Sequence, residues 1–174
     1  MSTLKIPVGP EDHVQGDEHA EFTLVEYGDY ECPHCGYAYP VVKRLQRHLG
    51  KRLRFVFRNF PLSQIHPHAE SAAETAEFAA AHGKFWEMHD LLFQNQSRLS
   101  LRLFEELSGD LGLSKAELLE ALNRKDYEAR VRADFAGGVR SGVNGTPTFF
   151  INGQRHNGSF EYQDLLAAFE AVPR

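Results

Sequence analysis

The sequence predicts an α/β fold: a small mixed β-sheet, helices on both of its faces, and a helical block set between its two halves. Three observations carry the prediction. FTLVEYGD at 22–29 and RLRFVFRNF at 52–60 read as strands on either side of a helical pattern. From 67 to about 125 the periodicity is helical throughout. Strand signals then return in TPTFFING at 146–153, where Asn152-Gly153 marks a hairpin turn.

Residues 1–20 are rich in Gly, Pro and charge, and read as loop with LKIPV as a brief edge strand. Next, Phe22, Leu24 and Glu26 share one face of an extended chain, and Thr23, Val25 and Tyr27 the other. Both faces are largely apolar, which predicts a central strand covered on both sides. Glu26 is the exception, a carboxylate in a strand expected to be buried. Pro33 suits the first turn of a helix, where its missing N–H costs nothing. The helix predicted over 33–49 carries Tyr37, Val41, Leu45 and Leu49 in one stripe, with Pro40 inside it and Gly50 ending it. Strand, helix and strand most simply make a right-handed crossover with parallel strands.

In the block that follows, Ala69, Ala72, Ala73, Ala76 and Ala80 form a small-residue stripe suited to close helix packing. Phe85, Met88 and Leu92 repeat the helical period. Ser100 and Ser114 are N-cap candidates, and SKAE at 114–117 fits a capping box. A helix over about 127–140 places Val131, Phe135 and Val139 together. QRHNG leads back from the hairpin as an edge strand, and Ser159 is the candidate cap of a last helix. Neither a repeat nor a linker separates a second unit. Residues 1–174 are therefore read as one domain with a helical insertion at 65–128.

Composition narrows the function classes. The 174 residues are 42% hydrophobic and 25% charged, ordinary for a globular chain. A net charge of -5 argues against nucleic acid, whose phosphates draw concentrated Lys and Arg. The basic run KRLQRHLGKRLR at 43–54 reads as the solvated side of a helix and a turn. No stretch approaches the roughly 20 apolar residues that cross a bilayer. MSTLKIPVGPEDHVQGDEH lacks the apolar centre and small-residue cleavage site of a secretory leader. The expected setting is cytoplasmic, with no membrane span and a monomeric chain.

Both cysteines fall in YECPHCGYAYP at 30–40, as C-P-H-C. Half of a tetrahedral zinc site has this spacing, but such a site needs four Cys or His ligands. A second cysteine pair is missing, and His13, His19, His34, His66, His68 and His156 make no ligand pattern, so neither metal nor cofactor is expected. An inert disulfide closing so short a loop would constrain the unfolded chain little. Two unrelated thiols are a further reading. Redox exchange fits the context best. The motif follows a strand and opens a helix, so Cys32 lies where unpaired backbone N–H groups and the helix dipole stabilise a thiolate. His34 would add charge or a hydrogen bond. Cys35, one turn on, is the candidate resolving thiol.

With these residues in view, the chain resembles the thioredoxin superfamily, and most closely its DsbA-like branch, over about 14–172. The C-P-H-C filling is similar to that of the branch's bacterial disulfide oxidases. The resemblance implies a thioredoxin-like fold whose central mixed sheet is interrupted by a helical subdomain. It implies Cys32 as an exposed nucleophile and Cys35 as its buried partner, with Pro33 and His34 tuning the sulfur. Pro147 takes the position of the family's cis-proline, and Thr146 the position before it that tunes the thiolate. Glu26, six residues before Cys32, resembles the buried acid that accepts or relays the proton of Cys35. Phe85, Trp86 and His89 resemble a packing stretch of the insertion. Asp12, His13 and Gly16 resemble a lead-in to which no chemistry is assigned.

The implied activity is thiol–disulfide exchange with protein or peptide substrates, through a mixed disulfide on Cys32 that Cys35 resolves. C-P-H-C points to the oxidase direction. The electron-exchange partner is unknown. In a cytoplasm it would be glutathione or a thioredoxin system, and such a pool would make the same pair a reductase of the thioredoxin or glutaredoxin kind. Outside enzymes, the reading is a peptide-binding or chaperone module with a vestigial motif.

Overall fold

The computed structural model describes residues 2–173; positions 1 and 174, the ends of the expected domain span, lie outside them. Strands β1 (His13–Gln15), β2 (Phe22–Gly28), β3 (Leu53–Asn59), β4 (Thr148–Ile151) and β5 (Gln154–Arg155) form one sheet in the order β1-β3-β2-β4-β5. β2 and β3 are parallel, and the other neighbours are antiparallel. Helix α1 (Pro33–Leu49) makes the crossover between β2 and β3. Between β3 and β4 run α2 (Ala69–Ala81), α3 (Phe85–Gln94), α4 (Leu101–Asp110), α5 (Lys115–Arg124) and α6 (Glu128–Arg140). The last helix, α7 (Tyr162–Glu170), follows the hairpin.

The sheet separates two apolar layers, and the alternation along β2 decides which residue enters which. Phe22 and Leu24 join a large core with Val42 and Leu45 of α1, Phe55 and Phe57 of β3, Met88 of α3 and Phe169 of α7. Val25 and Tyr27 join a smaller core with Val56, Phe60, Val143 and Phe150 on the other face. Cys32 and Cys35 belong to the larger core. Glu26 is buried in the same strand at 2% exposure.

Several expectations change. LKIPV is not a strand. Thr3 makes only an isolated bridge to Gln154, and the sheet edge is formed by His13–Gln15. The N-terminal segment bonds partly to backbone, Leu4 N to Gly153 O and Arg155 N to Ser2 O, and partly to side chains: Lys5 N donates to Ser141 Oγ, and the carbonyls of Ile6 and Pro7 accept from Arg58. In α1 the inward stripe is Cys35, Ala38, Val42, Leu45 and Leu49. Tyr37 lies off that stripe and is 51% exposed. Its ring meets Phe160 edge-on, and its hydroxyl donates to Glu161. Val139 is likewise exposed, because α6 approaches the sheet through Gly137 and Gly138. A Cβ on Gly138 would fall 2.7 Å from Phe60 Cδ2. Ser100 and Ser114 do cap α4 and α5, accepting from Leu103 N and Glu117 N. Ser159 accepts from Glu161 N, so it shapes the turn before α7 rather than capping it.

Candidate active site

At the end of β2 the chain turns over 29–32 and enters α1 with Cys32 as the N-cap residue, in extended backbone (φ -68°, ψ 122°). Pro33 begins the helix, as its fixed φ favours. Gly36 N donates to Cys32 O at 3.0 Å, closing the first helical turn. On the neighbouring strand, Tyr27 pairs with Thr148, which brings the segment before β4 alongside the start of α1. The Thr146–Pro147 peptide bond there is cis. Cys32 Sγ lies 3.5 Å from Thr146 O, and Thr146 Oγ1 is buried without a hydrogen-bond partner.

Both cysteines are free thiols, and their surroundings drive them apart. A hydrogen bond from the Cys35 thiol lowers the pKa of Cys32 to about 5. Burial opposes the shift, while the Thr146 side chain and the N–H groups of Cys35 and His34 reinforce it. Burial raises Cys35 well above an ordinary thiol, with Cys32 and Glu26 adding to the shift. At neutral pH the pair therefore holds a thiolate on Cys32 and a proton on Cys35. Cys32 is only 3% exposed, against the exposed nucleophile expected. It is enclosed because the chain before β4 lies against its sulfur.

The other predicted residues take distinct places. Glu26 is pushed up to about 8 by burial, and the charge of Cys32 acts in the same direction. Its Oε1 has no hydrogen-bond partner. The group of His34 that acts on Cys32 is the backbone N–H, and the residue itself is exposed. Several histidines weighed as metal ligands find other partners: His13 bonds Glu77, His66 bonds Asp29, and His156 Nε2 donates to Ser159 O. Among the described residues no cluster of three or more His, Cys, Asp or Glu is placed to hold a metal ion.

Sequence reasoning missed two residues that hold the redox turn, Asp29 and Gln96. The carboxylate of Asp29 accepts from Glu31 N (2.8 Å), Leu62 N (2.9 Å) and His66 Nδ1 (2.8 Å). The first of these is an Asx-type turn, a signal present in Asp29-Tyr30-Glu31. The other two come from the loop after β3 and leave no local trace. Gln96, in the single turn Gln96–Arg98 between α3 and α4, donates from Nε2 to Tyr30 O and Cys32 O, each at 2.8 Å.

An acidic thiol at a helix start, with a second thiol one turn deeper, defines a thiol–disulfide redox protein of DsbA-like architecture. The thioredoxin family profile, described as "Thioredoxin", matches residues 9–171. The chain belongs to the thioredoxin family. It is 44% identical over 166 residues to "Na(+)/H(+) antiporter NhaA 1" of Salinispora arenicola, a match covering 95% of this chain and 25% of that protein. The chain thus spans about a quarter of the curated relatives it matches. Among solved structures it resembles oxidised BdbD from Bacillus subtilis, with a TM-score of 0.86, 22% identity and coverage of 97% and 96%. It also resembles α-DsbA1 of Wolbachia pipientis, with a TM-score of 0.81, 20% identity and coverage of 96% and 92%.

One expectation is overturned by these likenesses. The cytoplasmic placement rested on the lack of a leader, yet the solved structures that share this fold are of DsbA-like type and include a periplasmic protein. One is described as a periplasmic thioredoxin-like protein from Salmonella enterica serovar Typhimurium, with a TM-score of 0.72, 19% identity and coverage of 93% and 90%. Compartment is set by signals that a folded core does not contain. Among the described residues no helix is long and apolar enough to cross a membrane.

Proposed function

We propose that this chain is a protein-disulfide oxidoreductase that works in the oxidising direction. The observation that carries the reading is the opposed shift of the two sulfurs, Cys32 down to about 5 and Cys35 well up. A stabilised Cys32 thiolate favours the reduced pair, so the Cys32–Cys35 disulfide is a strong acceptor of electrons. The substrate is a dithiol in a protein or peptide. One substrate thiolate attacks Cys32 Sγ, a substrate–Cys32 disulfide forms, and the Cys32–Cys35 bond breaks. Cys35 leaves as a thiolate and takes a proton, for which the protonated carboxyl of Glu26 is the proposed source. The second substrate thiolate then attacks the substrate sulfur of the mixed disulfide. Cys32 leaves as a stable thiolate, and two electrons have passed to the pair. An external acceptor must remove them before the next cycle.

Pro33 contributes by starting the helix at Cys32, and His34 by its N–H. Thr146 presents its carbonyl to the sulfur, and Pro147 is proposed to complete the wall beside it. The helical block at 65–128 is proposed to brace the redox turn. An oxidising compartment fits this direction of flow.

The deciding experiment equilibrates the pair in glutathione buffers. The expected potential lies toward the DsbA end, about -120 mV, and a value near that of thioredoxin, about -270 mV, would reverse the direction. Cys32→Ser should abolish exchange, and Cys35→Ser should accumulate a mixed disulfide on Cys32. Undiminished activity in Cys32→Ser would instead mark a peptide-binding module.

A further inference from the structure

The helical block meets the redox turn at several points, His66 on Asp29, His68 N on Glu31 and His89 on Tyr30, but Gln96 bonds the backbone of Cys32 itself. Gln96 Nε2 carries two hydrogens, and it sits 2.8 Å from both Tyr30 O and Cys32 O, which flank Glu31. Cys32 O also accepts from Gly36 N at 3.0 Å, so both of its lone pairs are engaged. The partner surface is shaped to receive the amide. A Cβ on Gly36 would lie 2.2 Å from Gln96 Oε1 and 2.8 Å from its Cδ. Gly36 has no left-handed backbone to explain it, and glycine is disfavoured relative to alanine inside a helix. Its missing side chain is explained by the seat of Gln96, 60 residues downstream.

We propose that Gln96 is a positioning residue for the chemistry of Cys32, clamping the two carbonyls of the redox turn so that the sulfur stays over the first N–H groups of α1. The inference rests on the exchange reading above and adds a role for the helical block in it. By fixing the peptide units after Tyr30 and after Cys32, the clamp sets the backbone of the N-cap residue. It also turns one donor toward each carbonyl oxygen near the thiolate, adding to the Gly36 N–H already on Cys32 O. Gln96 touches no reacting atom, so it acts through Cys32 alone.

The test titrates Cys32 by the ultraviolet absorbance of its thiolate in the reduced protein, comparing the wild type with Gln96→Met and Gly36→Ala. Methionine keeps the length of the side chain and loses both donors. Alanine at 36 leaves Gln96 intact but fills its seat. Both variants should move the Cys32 midpoint upward, by about one pH unit, a tenfold weaker thiolate equilibrium. Both should also make the disulfide less oxidising in glutathione buffer, by up to about tenfold in the equilibrium constant. Melting temperatures are recorded alongside. A lowered melting temperature with an unmoved midpoint in both variants overturns the proposal and leaves Gln96 as packing. Should Gln96→Met fail to fold, Gly36→Ala decides the matter by itself. If the wild type showed no exchange but the midpoint still moved, the activity reading would fall and the positioning role would stand.

Discussion

The backbone N–H of Asp29 points at the sulfur of Cys35 from 3.5 Å, while the carboxylate of the same residue is enclosed by three donors. One residue thus joins the deeper thiol to the loop after β3. Its side chain has no exposed surface, and His66 beside it is 17% exposed. Removing the acid in Asp29→Ala would orphan the N–H groups of Glu31 and Leu62 and leave His66 without its partner. The expected loss is about 3 kcal/mol, in line with breaking one side of a buried pair. Asp29→Asn keeps one acceptor oxygen and should lose less. Urea unfolding of the three proteins checks this, and equal stability of Asp29→Ala and wild type would refute it.

Cys32 sets how the reduced protein responds to acid. Its folded pKa is depressed to about 5 from 9.0, so its contribution to stability is complete above the unfolded value. That contribution shrinks as pH falls and is lost through about 5. The oxidised protein has no thiolate and lacks the effect. The gap in stability between reduced and oxidised forms should therefore narrow between neutral pH and pH 4. Alkylation of Cys32 should be nearly independent of pH above about 6 and fall tenfold per unit below 5. An alkylation midpoint near that of an ordinary thiol, about 8.5, would contradict the geometry.

Glu26 works in the opposite sense. Its folded pKa is raised from 4.5 to about 8, so the native state resists ionising it. The native state bears no penalty below the unfolded value. The penalty grows as pH rises through the interval and levels off above about 8. Glu26→Leu should stabilise the protein by about 3 kcal/mol at pH 7, and the gain should fade toward pH 4.5. The same variant should slow exchange if the carboxyl serves Cys35. Thermal unfolding across that pH range, with single-turnover exchange at each point, separates the two effects. A pH-independent stability difference would remove the buried acid from the account.

Arg58 offers a control remote from the sulfurs. It is buried on the other face of the sheet, with Nε and Nη2 on the Asp12 carboxylate and Nη1 on Tyr27 Oη and Ile6 O. Nη2 also reaches Pro7 O. Burial works against Asp12, but the bonds from Arg58 and Gly9 outweigh it and hold the carboxyl below its ordinary range. Lysine cannot reproduce this fork. Arg58→Lys should cost about 3 kcal/mol and leave the Cys32 titration where it was. A moved titration would mean that the two faces of the sheet are coupled.

Much of the frame was legible in sequence because it rests on local patterns. β2, α1, β3 and the β4–β5 hairpin came from periodicity and from Asn152-Gly153, and C-P-H-C with Thr146-Pro147 marked the centre. What escaped detection was pairing at a distance. Asp29 and His66 are 37 positions apart, and Gln96 and Cys32 are 64 apart, with no periodic signal to link them. Tyr37 was misplaced because an apolar ring was assumed to face inward, whereas the helix buries Ala38 and Val42 instead. His13, to which the sequence assigned no chemistry, bonds Glu77 and stacks on the ring of Phe85, again across long separations. LKIPV stops short of a strand because, past Leu4, Lys5 N and the carbonyls of Ile6 and Pro7 bond to the side chains of Ser141 and Arg58 rather than to a neighbouring strand.

The approach of Thr146 to Cys32 has a consequence for how the protein is made. The two residues are 114 positions apart, and Thr146 reaches the sulfur only because β4 pairs with β2. At a synthesis rate of roughly 5–20 residues per second, on the order of ten seconds separate the emergence of the two from a ribosome. Through that interval β2, α1 and β3 are available to one another, but Phe169 and the β4 residues of their shared core are not. The cysteines are present, but the oxygen atoms that border Cys32 are not yet translated. The nascent chain therefore carries the thiol pair with its local donors in place but open on the side that the segment before β4 later covers.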